Sequence, residues 1–229
     1  MCERERATDA GGLQKKKEYY LNEFQQFSPN MLKTYELCPK KFYFKYVKHI
    51  SMPTNDDIFE FGKNIHALAS YYLRGENIDK MEEALTEREK LVWQYLKSSK
   101  YFGFEVVNTE YNLAVKIGSH FFGGRLDALV KDNDKYYILD YKTGSAPKNA
   151  KFDFQTMIYL LAVKEFFNTE DITFVYIDLK NREEVKIEYT PELGEKYRGR
   201  LIEAANSIES EEIPNKKDGC KCEYSLICY

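Results

Sequence analysis

Between residues 59 and 74, apolar side chains recur at Phe61, Ile65, Leu68, Ala69 and Tyr72, the 3.6-residue rhythm of an amphipathic helix. A further helix is expected from about Asp79 to Leu96. From Phe104 the rhythm shifts. "FEVVNTEYNLAVKI", "HFFGGRLDALV" and "KYYILDYK" are rich in strand formers and separated by Gly-Ser and Asn-Asp turns, which predicts an antiparallel meander. A helix over about 153 to 167 follows, then the strands "ITFVYIDL" and "EVKIEY". Thr190-Pro191 opens a last helix to about Ser210.

Near the start, Ser28 and Pro29 supply a cap and a first-turn proline. Met31, Leu32 and Tyr35 form one apolar side of that helix, Cys38-Pro39 interrupts it, and Lys40 to Val47 resumes it. The order of elements predicts one mixed α/β domain over residues 25–229, with a helical N-terminal layer and a flexible leader over residues 1–24.

Composition narrows the class. The 229 residues can bury a substantial core. No run of eighteen apolar residues occurs and the charged N-terminus lacks a signal-peptide pattern, so a cytoplasmic protein without a membrane span is expected. A net charge of −3 gives no global pull toward nucleic acid. Lysines do cluster, at Lys15 to Lys17 and through "KKFYFKYVKH", either as a solvated surface or as a phosphate-binding stripe. The five cysteines are Cys2, Cys38, Cys220, Cys222 and Cys228. An odd count in a reducing compartment favours metal or cluster ligation over a disulfide framework.

The chemistry gathers around "YYILDYKTGSA", where Asp140 and Lys142 share one face of a strand. If Asn133-Asp134 is a two-residue turn, residue 132 pairs with 135, and Asp127 then falls opposite Asp140. Two carboxylates that close need a positive partner, either Lys142 or a divalent cation, and oxygen donors suit Mg²⁺ or Mn²⁺. The plainer alternative is a surface salt bridge on an edge strand. His66 lies beside the apolar stripe of its helix, and Gln155 and Tyr159, four apart, share a helix face. Glu110, on the strand before Asp127, reads as solvent-facing, with an outer carboxylate role as the alternative.

The sequence carries Gly-x-x-x-His, Gly-x-x-Asp, Asp-x-Lys-Thr-Gly and Gln-x-x-x-Tyr in order, after an opening "FSPNMLKTYELCPKKFYFKYV". This set resembles the RecB-like branch of the PD-(D/E)XK nuclease superfamily over residues 25 to 229. The resemblance implies a restriction-endonuclease-like core with a central mixed sheet flanked by helices. It implies that His66, Asp127, Asp140 and the carbonyl of Tyr141 hold the metal. It further implies that Lys142 is the catalytic lysine, while Gln155 and Tyr159 shape the site and contact the strand being cut. Cys38, Cys220, Cys222 and Cys228 match the positions that hold a [4Fe-4S] cluster in part of the family, although Cys-x-Cys stands where Cys-x2-Cys is usual. Zn²⁺ is the alternative occupant.

The activity so implied is Mg²⁺- or Mn²⁺-dependent hydrolysis of DNA, on single strands or ends. Two contexts fit: CRISPR spacer acquisition beside an integrase complex, or repair beside a helicase subunit. No Gly-x-x-x-x-Gly-Lys-Ser/Thr loop occurs, so the chain is not itself an ATP-driven helicase. The competing class is a catalytically silent module that binds DNA ends or a protein partner.

Overall fold

The computed structural model describes residues 26–52, 56–211, 214–215, 219–220 and 222–228. The expected leader and Cys2 lie outside them. Helix α1 (Pro29–Leu37) begins as predicted: the Ser28 hydroxyl accepts from Met31 N at 3.3 Å. After Cys38, in extended backbone, come α2 (Pro39–Phe42) and a wide π-type turn, Tyr43–Val47, in place of one regular helix. The long helix α3 (Asp56–Leu73) matches the periodic segment.

The single helix expected from Asp79 to Leu96 is two, α4 (Asp79–Glu83) and α5 (Glu87–Lys97). Thr86 breaks it. Its side chain accepts from Glu89 N, and the Glu89 carboxylate accepts from Thr86 N at 2.8 Å. This reciprocal cap starts a new helix where apolar spacing alone suggests continuity.

Five strands then form one mixed sheet in the order β1-β2-β3-β4-β5. They are β1 (Glu105–Ile117), β2 (His120–Asp132), β3 (Lys135–Lys142), β4 (Ile172–Asp178) and β5 (Glu183–Glu188). The first three are antiparallel, β4 runs parallel to β3, and β5 returns antiparallel. Helix α6 (Phe154–Phe167) makes the crossover that a parallel pair requires. Helix α7 (Pro191–Ser210) completes the layer, with the Thr190 hydroxyl accepting from Leu193 N at 3.2 Å.

The sheet divides two cores. On one face, Leu129, Ile138 and Phe174 pack against Leu32 of α1, Ile158 and Leu161 of α6, and Leu201 of α7. On the other, Val130, Leu139 and Ile177 pack against Ile65 and Leu68 of α3 and Trp93 of α5. The central strand β3 is therefore covered on both sides, not an edge. Truncating any of these large residues to alanine costs about 2–5 kcal/mol. Against that background a carboxylate at position 140, 3% exposed, demands an explanation.

Candidate metal centre and cysteine cluster

Asp132 does pair with Lys135 across the Asn133-Asp134 turn, and the register continues to Ala128 opposite Leu139. There the ladder ends, one step before Asp127 and Asp140 would meet. Across this point β2 loses its simple alternation: Leu126 and Leu129 belong to one core, Ala128 and Val130 to the other. The strands part, and the Asp127 carboxylate takes the place of a backbone carbonyl. Its Oδ2 accepts from Tyr141 N at 2.8 Å. Parting strands thus deliver a carboxylate and a peptide carbonyl to the same place.

His66 reaches that place from α3. Its Nδ1 lies 3.1 Å from Asp127 Oδ1, and its Nε2 lies 2.9 Å from the Tyr141 carbonyl oxygen. Both ring nitrogens face acceptors, which favours the imidazolium. Burial opposes the charge, but the hydrogen bond and charge of Asp127 outweigh it and raise the His66 pKa.

Asp140 sits deeper. Gln155, at the start of α6, donates from Nε2 to Asp140 Oδ1, and its Oε1 accepts from Lys142 Nζ at 3.0 Å. Lys142 Nζ is also 2.7 Å from Asp140 Oδ2. That approach is a close, charge-assisted ion pair. Burial and the Asp127 charge push the Asp140 carboxyl up to about 6, against the pull of Lys142 and His66. Burial depresses the Lys142 pKa, but Asp140 more than compensates, so the net shift is upward and the ammonium persists at neutral pH.

Gln155 is itself fixed locally. The Asp153 carboxylate caps α6 by accepting from Gln155 N at 2.9 Å, and Lys33 of α1 pairs with Asp153 at 2.8 Å.

Two residues differ from their sequence reading. Glu110 does not simply face solvent: with His66 and Asp127 it offers ligand atoms all within 4.8 Å of one another. The signal was present. Gly118-Ser119 is also a two-residue turn with Ile117 opposite His120, and counting back along that register puts residue 110 across from 127. Glu110 adopts φ +51°, an uncommon conformation for a non-glycine residue, and pairs with Arg125 at 2.8 Å. Tyr159, in turn, is only 3% exposed. Its hydroxyl donates to the Arg125 carbonyl at 2.9 Å, and its ring stacks on Phe174. It braces β2 from beneath; Gly124 permits this, since a Cβ there would lie 2.8 Å from the Tyr159 hydroxyl.

His66, Glu110 and Asp127 thus bring one imidazole and two carboxylates together, with the Tyr141 carbonyl against His66, while Asp140, the remaining expected ligand, is not among the ligand atoms that converge. Such an oxygen-rich set fits a hard divalent cation.

A second cluster forms at the chain's far end. Cys38, Cys220, Cys222 and Cys228 make no disulfide. The Cys220 thiol lies within hydrogen-bonding reach of Cys222 and Cys38, which helps raise its pKa to about 11. Cys228 is buried at the tail's end. The tail is tied to the segment after Cys38: Glu223 pairs with Lys41 at 3.0 Å, Tyr224 packs on Phe44, and the Tyr224 hydroxyl donates to the Ile50 carbonyl at 2.7 Å. Cys38, Cys220 and Cys222 are thus neighbours.

Comparison with known proteins agrees with this architecture. The sequence profile of the PD-(D/E)XK nuclease superfamily matches residues 26–104 and 87–229. The CRISPR-associated exonuclease Cas4 of Francisella tularensis subsp. novicida (strain U112) is 23% identical over 204 residues, spanning 87% of this chain and 91% of the relative. A crystal structure of a candidate exonuclease from Eubacterium rectale superposes with a TM-score of 0.57 at 10% identity, covering 95% of this chain and 92% of that one, a likeness of fold.

Proposed function

The chain belongs to the PD-(D/E)XK nuclease superfamily, and from that premise we propose that it is a Mg²⁺- or Mn²⁺-dependent deoxyribonuclease acting on single strands or ends. The observation that carries this reading is the convergence of His66, Asp127 and the Tyr141 carbonyl beside a buried Asp140–Lys142 pair.

In this reading His66, Glu110, Asp127, Asp140 and the Tyr141 carbonyl hold the cation. A divalent ion there would supply Lewis acidity, polarising a phosphate oxygen and making water more acidic. Lys142, kept protonated by Asp140, is a poor base at neutral pH. Its ammonium instead orients the attacking water and offsets negative charge developing on the phosphoryl oxygens. Gln155 fixes the distance between Asp140 and Lys142 by gripping both. Asp127 has a double task, facing the cation and closing the gap between β2 and β3.

The four cysteines in this reading hold a structural [4Fe-4S] cluster, with Zn²⁺ as the rival occupant, and staple the tail to the N-terminal helices. The context we favour is CRISPR spacer acquisition alongside an integrase complex, supported by likeness to a CRISPR-associated exonuclease. Repair beside a helicase subunit is the other context of the same chemistry.

The test is incubation of the purified chain with labelled single-stranded DNA and Mn²⁺, with Asp140→Ala alongside. Cleavage by the parent and none by the variant is expected. No cleavage by either would favour a silent binding module.

A further inference from the structure

A cavity of about 650 Å³ opens beside the carboxylates, lined along one side by Lys63, His66, Ser70, Tyr71 and Arg74 of α3. These positions recur every three to four residues, so they form one continuous helix face. Across from them stand Glu110 and Arg125. The cavity is therefore acidic at one end only. From His66 to Arg74 it extends about 12 Å along the helix axis, room for about three stacked nucleotides at about 3.4 Å each.

At the far end Tyr71, 38% exposed, carries the Arg74 guanidinium 4.7 Å from its ring centroid. A half-exposed ring costs apolar surface left in water, and neither core uses it. Arg74 pairs with Glu76 at 2.6 Å, but both partners are about half exposed, so solvent screens that pair and a phosphate can displace it. Arg125, 65% exposed on the opposite wall, is paired with Glu110 at 2.8 Å and belongs to the carboxylate end. Ring, guanidinium and flanking cations in a groove are the elements that hold a single strand: bases stack, phosphates pair.

We propose that this end of the cavity is a nucleotide subsite for the strand being cut, with a base stacked on Tyr71 and its phosphate held by Arg74. The proposal rests on the nuclease reading above and adds to it where the uncleaved part of the strand lies. Tyr71 and Arg74 act as positioning residues, about one and a half and two turns along the helix from His66. Because stacking tolerates any base, the subsite selects unpaired strands without selecting sequence.

The experiment is fluorescence anisotropy of a labelled oligothymidylate with the full chain in EDTA, so that binding is read without cleavage. An oligonucleotide of equal length built from abasic residues serves as the second probe, and parent cleavage in Mn²⁺ is measured in parallel. Tyr71→Ala should weaken binding of the oligothymidylate about tenfold or more while leaving the abasic probe unchanged, and Tyr71→Phe should restore it. Arg74→Ala should weaken both probes alike and lower the salt dependence of binding by about one unit of slope. Equal losses on both probes for Tyr71→Ala, or none, would overturn the subsite while Mn²⁺-dependent cleavage by the parent keeps the nuclease reading intact. A parent that neither binds nor cuts would overturn both. Melting curves matching the parent confirm folding of these exposed-site variants.

Discussion

The carboxylate cluster and the cysteine cluster lie on the same chain but are closed by loops of very different length. Asp127 meets Tyr141 across 14 positions, and Gln155 reaches Lys142 and Asp140 across 13 and 15. Tyr224 meets Ile50 across 174. In the first cluster the carboxylates and Lys142 are placed by local geometry, a hairpin, a crossover helix and a covered central strand, and only His66 arrives from a distance, 75 positions from Tyr141. The second joins the chain's ends, and its donors come together only when the tail docks on the segment after Cys38. Closing so long a loop costs much unfolded-state entropy, so a metal there, as proposed, would add stability by the logic of long cross-links. A cation at the carboxylates adds chemistry instead. One cluster sits on a preorganised frame; the other helps make the frame.

Substitutions should therefore separate cleanly. Lys142→Ala removes an ammonium and should reduce cleavage by about 10²- to 10⁴-fold, with a melting temperature close to the parent's below pH 6, where the buried Asp140 left without its partner is protonated. Cys228→Ala should do the reverse, losing bound metal and about 2–4 kcal/mol of stability, read by metal analysis and denaturant unfolding. If Cys228→Ala kept both its metal and its melting temperature, the stapling role would be lost from the comparison. Gln155→Ala should fall between, since a small misplacement of Lys142 is worth about a hundredfold or less in rate. Lys33→Ala, which removes the partner of Asp153 from a part-exposed pair, should cost less than about 1 kcal/mol and barely move cleavage.

The pH response follows from Asp140. Its folded-state pKa, about 6, lies above the ordinary carboxyl value of 3.8. Its ionisation therefore opposes folding: the stabilising contribution is full below the unfolded value and disappears as pH rises through about 6. A divalent cation requires the ionised carboxylate, so the sign reverses when one is added. The melting-temperature gain from a fixed Mn²⁺ concentration should grow as pH rises through about 6, and Asp140→Asn should flatten that growth.

The two clusters also differed in how far the sequence disclosed them. Strand period and the Asn133-Asp134 turn were enough to give the register as far as Ala128 opposite Leu139, one step short of the expected Asp127–Asp140 pair, because hairpin register is a local property. What escaped was the parting of β2 from β3 at Asp127, a tertiary event with no signature in alternation. Glu110 was within reach by the same counting across Gly118-Ser119, which was not applied to it. The continuous helix expected from Asp79 failed at Thr86 because apolar spacing ran on through a capping box. For the cysteines, no local pattern pairs residue 38 with residue 220. Only likeness to a family suggested it, and the docking of Tyr224 and Glu223 is what places the tail there.

The central claim is that His66, Asp127 and Asp140, with Glu110 and the Tyr141 carbonyl, share one divalent cation. Anomalous diffraction from crystals grown with Mn²⁺ tests it most directly. The account predicts a single strong peak within coordination distance of His66, Asp127 and Asp140; a peak away from these side chains, or none at a concentration that supports cleavage, would contradict it.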